Sequence, residues 1–567
     1  MARKVVFKPD QQNQPNLFPF TFDEYVAKDH PVRVINKIIN EIDLSDILDT
    51  YKGGGASSFH PRIMLKIIIY AYLNNTYSSR KIEKLNQENV QFLWLNGQNF
   101  PDHNTINNFR SSRLKGKIDD IFKQIVVLLN QRGIISFEKV FTDGTKIESV
   151  ANRYTFVWRK SVERYKARLE GKIKDVIDQI EKAIDEDAKD PEKQDQESCS
   201  EITSDELRAD IERLNQKLQE KGASKKKKKK IRQLEKKSLP KLIEYETHLS
   251  KLGNRNSYSK TDNDATFFRM KEDKMGNGEL KPAYNLQLST ENSFITNYSI
   301  HQNAGDTATF KEHLNRYKEK YGQYPKAAIT DAGYGSLENY RFLDAENIGN
   351  YLKYNTFYKE NTKKFRAEIG KVENLYYNEE HDFFVCPMGQ KMVPVGYEKR
   401  VTQLGEEYWS TRYKAQDCSR CPLRGPCHKQ KGNRSLLVSK EVLKYRWQAR
   451  ENLRSETGKK LRKQRSAEVE QAFGQIKWNK GFKRFLLKGI DKVNIEIGLL
   501  AIAHNLQKLG TLVAKTGDTM LFLEKLLSFC QKIGRLMDND PKFLVINKEP
   551  SLKKGKMKNI KQEKKAA

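Results

Sequence analysis

Three carboxylates in this chain stand in settings that metal-assisted phosphoryl transfer can use: Asp143 in FTDGT, Asp331 in ITDAG, and Glu470 in RSAEVEQAFGQIKWNKGFKRF. Both aspartates follow short apolar runs of strand character, so each is predicted to end a strand, where carboxylates of neighbouring strands can converge. Gly144 is expected to turn the chain into a second strand. Glu470 reads from a helix. At about 100° per residue, Val469, Ala472, Phe473 and Ile476 form an apolar stripe, with Glu470 at its edge, Gly474 one turn on and Lys477 two turns on. Glu468 points almost the opposite way and is expected to be dispensable. Two aspartates and a glutamate make a set of hard oxygen ligands for two Mg2+ (or Mn2+) ions. One such ion activates a water or a 3′-hydroxyl and the other stabilises the leaving oxygen. Taken singly, each acidic residue is more often a helix cap or a solvated side chain; chain order, strand context and overall charge join them.

The charge points to a polyanionic partner. The 567 residues carry 104 lysines and arginines against 73 aspartates and glutamates, a formal charge of +31, and nucleic acid is the natural counterpart to that excess. A chain this long exceeds one hydrophobic core, so several domains are expected. MARKVVFKPD does not read as a signal peptide, and apolar runs such as IMLKIIIYAYL are too short to span a bilayer. The expectation is a cytoplasmic protein with no membrane partner.

The elements that must position the carboxylates are predicted to form an α+β protein. Residues 1–134 read as a helical N-terminal domain, with one helix over 32–48 and starts near Ser79 and near Asp102 or Asn104. Arg80, Arg110 and Arg113 near the ends of these helices suit a helix-turn-helix-like contact with DNA, although any all-helical domain can show the pattern. Residues 135–159, 256–356 and 456–512 carry the strand and helix patterns of the core. Residues 160–255 interrupt it as an antiparallel coiled-coil insertion, with Leu169, Ile173, Val176 and Ile180, then Leu207, Ile211, Leu214 and Leu218, spaced 4, 3, 4. Six lysines, Lys225 to Lys230, either follow a phosphate backbone or solvate a helix end. Residues 357–455 form a second insertion, and residues 513–567 a basic tail.

The second insertion holds four of the chain's six cysteines, Cys386, Cys418, Cys421 and Cys427. Four thiolates suit a structural Zn2+, with His428 as a spare ligand; free cysteines in a small β-rich subdomain are the other reading.

FTDGTKIESVANRYTFVW, KTDNDATFFRMKEDKMGNGELKPAYNLQ, ITDAGYGS and RSAEVEQAFGQIKWNKGFKRFLLKG together resemble the DDE transposases of bacterial insertion sequences, most closely the 1182 type of the group with a Tyr-Arg-Glu-Lys signature. The resemblance runs from HPRIML to AIAHNLQKL. It implies an RNase H-like core with a mixed sheet flanked by helices. It also implies an Asp, Asp, Glu triad on Asp143, Asp331 and Glu470 that cuts the terminal repeats of an element and joins them to target DNA. The signature lysine falls on Lys477, which the resemblance makes a contact to a terminal phosphate or base of the DNA. Its arginine falls nearest Arg465, one residue from the expected place, which Ser466 occupies, and its tyrosine has no counterpart. Double-stranded DNA, as transposon ends and as target, is the implied partner, with a homodimer or higher assembly pairing the ends. The same carboxylates would also serve a nuclease that cuts without joining, and an inactive DNA-binding relative is the remaining alternative.

Overall fold

The computed structural model describes residues 21–51, 57–185, 202–220, 225–270 and 278–515. The protein is α+β. The first helix, Pro31–Glu41, has proline at its first position and the His30 ring as acceptor for Val32 N at 3.2 Å. It is shorter than predicted: Ile42 is extended, and the pattern resumes only as the turn Ser45–Leu48. The apolar helix Pro61–Leu73 is the buried centre of the N-terminal helices. Asp102 caps the helix His103–Asn108 by accepting from Thr105 N at 2.8 Å.

Among the described residues, thirteen strands fall into three sheets. They are β1 (Lys139–Glu148), β2 (Phe156–Trp158), β3 (Ser257–Ser259), β4 (Thr266–Arg269), β5 (Leu280–Glu291), β6 (Phe294–His301), β7 (Ala327–Thr330), β8 (Gly349–Leu352), β9 (Tyr376–Asn378), β10 (Phe383–Val385), β11 (Lys391–Val401), β12 (Glu407–Ala415) and β13 (Ser435–Val438). The central sheet runs β4-β5-β1-β7-β8, with β6 also on β5. β5 is antiparallel to β1, whereas β7 and β8 are parallel to it, so the sheet is mixed. The β5–β6 hairpin turns through Asn292 and Ser293, both at positive φ, the backbone that a tight hairpin turn demands.

Helices cover the sheet. On one side Phe141 and Ile329 pack on Leu461 and Val469 of the helix Glu456–Gly474. On the other lies the helix Phe310–Tyr321. Its buried His313 bonds Ser289 Oγ at 2.8 Å and Ser299 Oγ at 2.6 Å, and Ser289 Oγ bonds Thr142 Oγ1 at 2.8 Å. Burial holds the His313 imidazole well below its usual range, so this polar chain is built on a neutral ring.

Residues 159–252, expected as an antiparallel coiled coil, form an arm of three packed helical limbs. Helices Arg159–Asp185 and Ser204–Glu220 pack with a third limb, Lys225–Gln233 continuing through a wider turn into Leu239–Leu252. Ile231, Leu234 and Leu242 join Ile173, Ile180, Leu207 and Leu214 in one core, which recruits the lysine run into a helix. β2 and β3 pair at the arm's root. Residues 376–438 contain a five-stranded antiparallel sheet, β13-β12-β11-β10-β9. Residues 513–567, expected as a basic tail, separate as a unit of their own and lie outside the described residues from 516 onward.

The N-terminal helices grip the turn at Asn479 and Lys480. Tyr77 Oη donates to Lys480 O at 2.7 Å, Asn75 Nδ2 to Asn479 O at 3.2 Å, and Lys480 Nζ to Leu73 O at 3.1 Å. Nearby, the buried Glu496 accepts from the backbone N–H groups of Leu486 and Leu487, each at 3.0 Å. Burial pushes its carboxyl up to about 7 from the usual 4.5, with the Arg110 charge opposing. Its folded form holds the proton more tightly than the unfolded chain does. The stability it contributes is therefore complete below about pH 4.5 and lost as the pH rises to about 7. Relative to wild type, Glu496→Gln should gain about 3 kcal/mol of stability between those limits, read from denaturant unfolding at pH 5 and pH 8. Buried His504, pulled down to about 4, has the opposite slope, so the difference between variant and wild type isolates Glu496.

Candidate active site

β1 does not end at Asp143. It runs on to Glu148, and Gly144 lies inside it. The glycine is there for close approach rather than for a turn: a Cβ at Gly144 would overlap the Gln287 amide and stand 2.6 Å from Asp306 Oδ1. The strand that ends is β7. Phe141 pairs with Ile329 in parallel register, so Asp143 and Asp331, each two residues further on, stand abreast where β7 stops.

The helix Glu456–Gly474 brings Arg465 to this pair. Arg465 Nη2 donates to Asp143 Oδ2 at 2.9 Å and lies 3.8 Å from Asp331 Oδ2. The Arg465 side chain is 10% exposed and that of Asp143 17%, against 45% for Asp331, so the ion pair is screened from water on the Asp143 side. Arg465 Nε is buried and has no hydrogen-bond partner among the described residues. Gly333 N donates to Asp331 Oδ1 at 2.9 Å. Tyr334 donates its hydroxyl to Gln287 Oε1, and burial, reinforced by Asp306, Asp143 and Asp331, holds that phenol well above its usual range. It stays a donor.

Glu470 is not part of this ion-paired group. It is exposed, with no hydrogen bond or ion pair among the described residues, and a Cβ at Gly474 one turn on would meet nothing within 4 Å. The apolar stripe beside it is buried at Val469, Ala472 and Ile476. Glu468 is buried as well, 5% exposed, and accepts from Ser293 N in the β5–β6 turn. Glu468 thus holds a structural contact, on a different face of the helix from Glu470. Burial raises its carboxyl above the usual range. After Gly474 the helix widens over Gln475–Asn479, and Lys477 is buried inside this irregular turn.

The arginines expected to meet DNA divide. Arg80 is exposed. Arg110 is 3% exposed and donates to Tyr77 O at 2.7 Å, to Tyr72 Oη and to Asn107 Oδ1, so its guanidinium is consumed within the domain. Arg113 caps Thr50 and stacks on the Tyr51 ring at 4.4 Å.

The aspartate pair fits a divalent cation by donor chemistry and by what it already holds: two charged oxygens close on one cationic nitrogen. Among the described residues, no three His, Cys, Asp or Glu side chains stand together as a ready cage for an ion. The four cysteines line one small cavity of about 20 Å³ with His428 and Arg434. There Arg434 Nη1 donates to Cys427 Sγ at 2.8 Å.

The chain thus sets an aspartate inside a long strand abreast of one just past the end of its neighbour, with a basic helix laid across them. Comparison with known families narrows this. Residues 385–510 match the transposase DDE domain, and residues 20–112 match a transposase domain (DUF772). The two matches support a DNA-processing transposase of the DDE type, for which DNA is the substrate. The first match spans Arg465, Glu470, Lys477 and the four cysteines; Asp143 and Asp331 lie outside both. No curated protein matches the chain. Among the described residues, one helix, Ile490–Lys515, has the length and composition to cross a membrane, yet Val493, Ile497, Leu500 and Leu506 within it are buried in the fold.

Proposed function

We propose that the chain is a transposase that binds the terminal repeats of an insertion sequence, cuts the DNA there and transfers the ends to target DNA. The observation that carries this reading is the Asp143–Asp331 pair, abreast on adjacent parallel strands and covered by the helix that bears Glu470. The strand order β6-β5-β1-β7-β8, three antiparallel strands followed by two parallel to the first, supports an RNase H-like core.

In this reading Asp143 and Asp331 hold divalent cations, and Glu470, exposed on the same helix, completes the set when DNA is bound. Bound Mg2+ would supply a lowered pKa at the attacking oxygen and charge neutralisation at the leaving one. The chain's own residues do the rest. Asp143 and Asp331 are fixed by their strands, Arg465 neutralises them from behind, and Arg80 offers its charge to a phosphate. Lys477, buried next to the grip of the N-terminal helices, positions the turn that follows the catalytic helix. The test is purified full-length protein with Mg2+ and a labelled duplex carrying the terminal repeats. Nicking at the repeat boundary with joined products supports the transposase. Cutting without joining supports a nuclease, and binding without cutting supports an inactive relative.

The cysteine cavity is proposed to take a structural Zn2+, since four thiols border it. Protein prepared without chelator should carry about one zinc per chain, and Cys418→Ser should lose it. Metal analysis showing no zinc in the wild type would leave Cys418 as a core thiol beside Met392 and Tyr413.

A further inference from the structure

The three limbs of the arm divide their charge unevenly. The helix Arg159–Asp185 carries eight lysines and arginines against six acidic residues, and Ser204–Glu220 carries three against five. The third limb, residues 225–252, carries eleven against three. On the first two helices Arg159, Lys166, Arg208 and Arg213 each meet a carboxylate of their own helix at between 2.9 and 3.4 Å. On the third limb the core fixes which way the cations face. Ile231 and Leu234 are buried among apolar residues of the other two helices, and Lys230 donates to Gln179 Oε1 at 2.9 Å. At about 100° per residue this sets Lys225, Lys228, Lys229 and Arg232 on the opposite face. All four are exposed, and none has an ion pair or a hydrogen bond among the described residues. The first carboxylate along the limb is Glu235, and Lys236, Lys237 and Lys241 extend the exposed row beyond it.

A helix does not gain stability from such a row. Like charges three and four residues apart repel one another, and the run stands at the start of its helix, the end at which the backbone dipole disfavours cations. A face that only has to be solvated can mix its signs, as Ser204–Glu220 does on the same arm. A polyanion supplies the countercharge that the chain leaves out. Lys225 to Arg232 spans about 10 Å of helix axis, and duplex DNA presents roughly one phosphate per 1.7 Å of its own axis, so the four side chains can meet phosphates of one duplex together. Lysine, a compact charge on a flexible stem, suits backbone phosphates and carries no code for base edges.

We propose that the third limb of the arm is a DNA-holding surface that grips the phosphate backbone of a duplex without reading its sequence. The proposal takes from the function above only that DNA is the partner and uses none of the chemistry at Asp143 and Asp331. The arm leaves the core between β1 and β4, so a duplex held on it is tied to the sheet that carries Asp143.

The test is binding of the full-length protein, with chelator present, to a labelled duplex of arbitrary sequence over a range of salt concentrations. The limb variant combines Lys225→Gln, Lys228→Gln, Lys229→Gln and Arg232→Gln. The control combines Lys318→Gln, Lys326→Gln, Lys371→Gln and Lys399→Gln, which removes the same charge from exposed lysines already paired with carboxylates. In the limb variant the slope of log affinity against log salt should fall in magnitude by about three, since each phosphate contact contributes about 0.9, and low-salt affinity should drop about tenfold or more. The control should change the slope by less than about one. Glutamine keeps the helix, and relief of repulsion should hold or raise the low-salt unfolding midpoint of the limb variant. The pair Lys228→Gln and Lys229→Gln, with about half the change in slope, serves if the fourfold variant does not fold. A limb variant that binds like wild type would overturn the proposal, and so would a control that loses as much, because net charge alone would then explain the loss. A limb variant that loses a single-stranded RNA of equal length and keeps the duplex would assign the face to RNA and overturn it too. Wild type that binds no duplex would overturn DNA as the partner and this proposal with it.

Discussion

Asp143→Asn is expected to lower strand cleavage about a thousandfold or more, since the stabilisation a metal centre gives is several kcal/mol and each 1.36 kcal/mol is a decade in rate. DNA binding should stay close to wild type, because Asp143 lies in the sheet and its partner is Arg465. The substitution is nearly isosteric and its amide oxygen can still face the guanidinium, so the folded chain should survive. What is lost is a formal charge beside Arg465. Gel-shift binding and cleavage of one labelled duplex read both properties on the same preparation. Cleavage within tenfold of wild type would move the first metal ligand away from Asp143.

The second large effect separates two glutamates one residue apart. Glu470→Gln should cost cleavage and joining about as much as Asp143→Asn while leaving the unfolding midpoint unchanged, because Glu470 is exposed and unpartnered among the described residues. Glu468→Gln should do the reverse. Its carboxylate is buried against the Ser293 N–H, so the variant should lose about 1 kcal/mol of stability and keep its chemistry. Paired assays of unfolding and cleavage check this. Loss of activity with Glu468→Gln and not with Glu470→Gln would mean that the catalytic face of the helix is the one turned to the β5–β6 hairpin.

What was legible in the sequence is what local pattern controls. Alternation exposed the strands of FTDGT and ITDAG, and the 3.6-residue period exposed the helix that covers them. Their parallel register then followed from the fold and placed the two aspartates abreast. Gly144 was misread, since glycine signals a turn and a tight contact with one letter. Arg110 looked like a DNA ligand because a basic residue near a helix end has that appearance; Tyr72, Tyr77 and the neighbouring Glu496 decide otherwise. The third limb of the arm was masked by its lysines, although Ile231, Leu234 and Leu242 carry the apolar spacing through them.

The grip of Tyr77 and Asn75 on Lys480 and Asn479 makes the molecule a ruler. On the proposed function, a duplex held by the N-terminal helices would be referenced through hydrogen bonds and the Tyr77–Phe482 ring contact, 5.1 Å between centroids, to the turn that follows the helix Glu456–Gly474. The distance from the recognised sequence to the cut would then be a property of the folded protein and not of a hinge. Lengthening the spacer between repeat and cut site by one base pair should leave the cut at its fixed distance from the bound sequence, one nucleotide inside the element's new boundary.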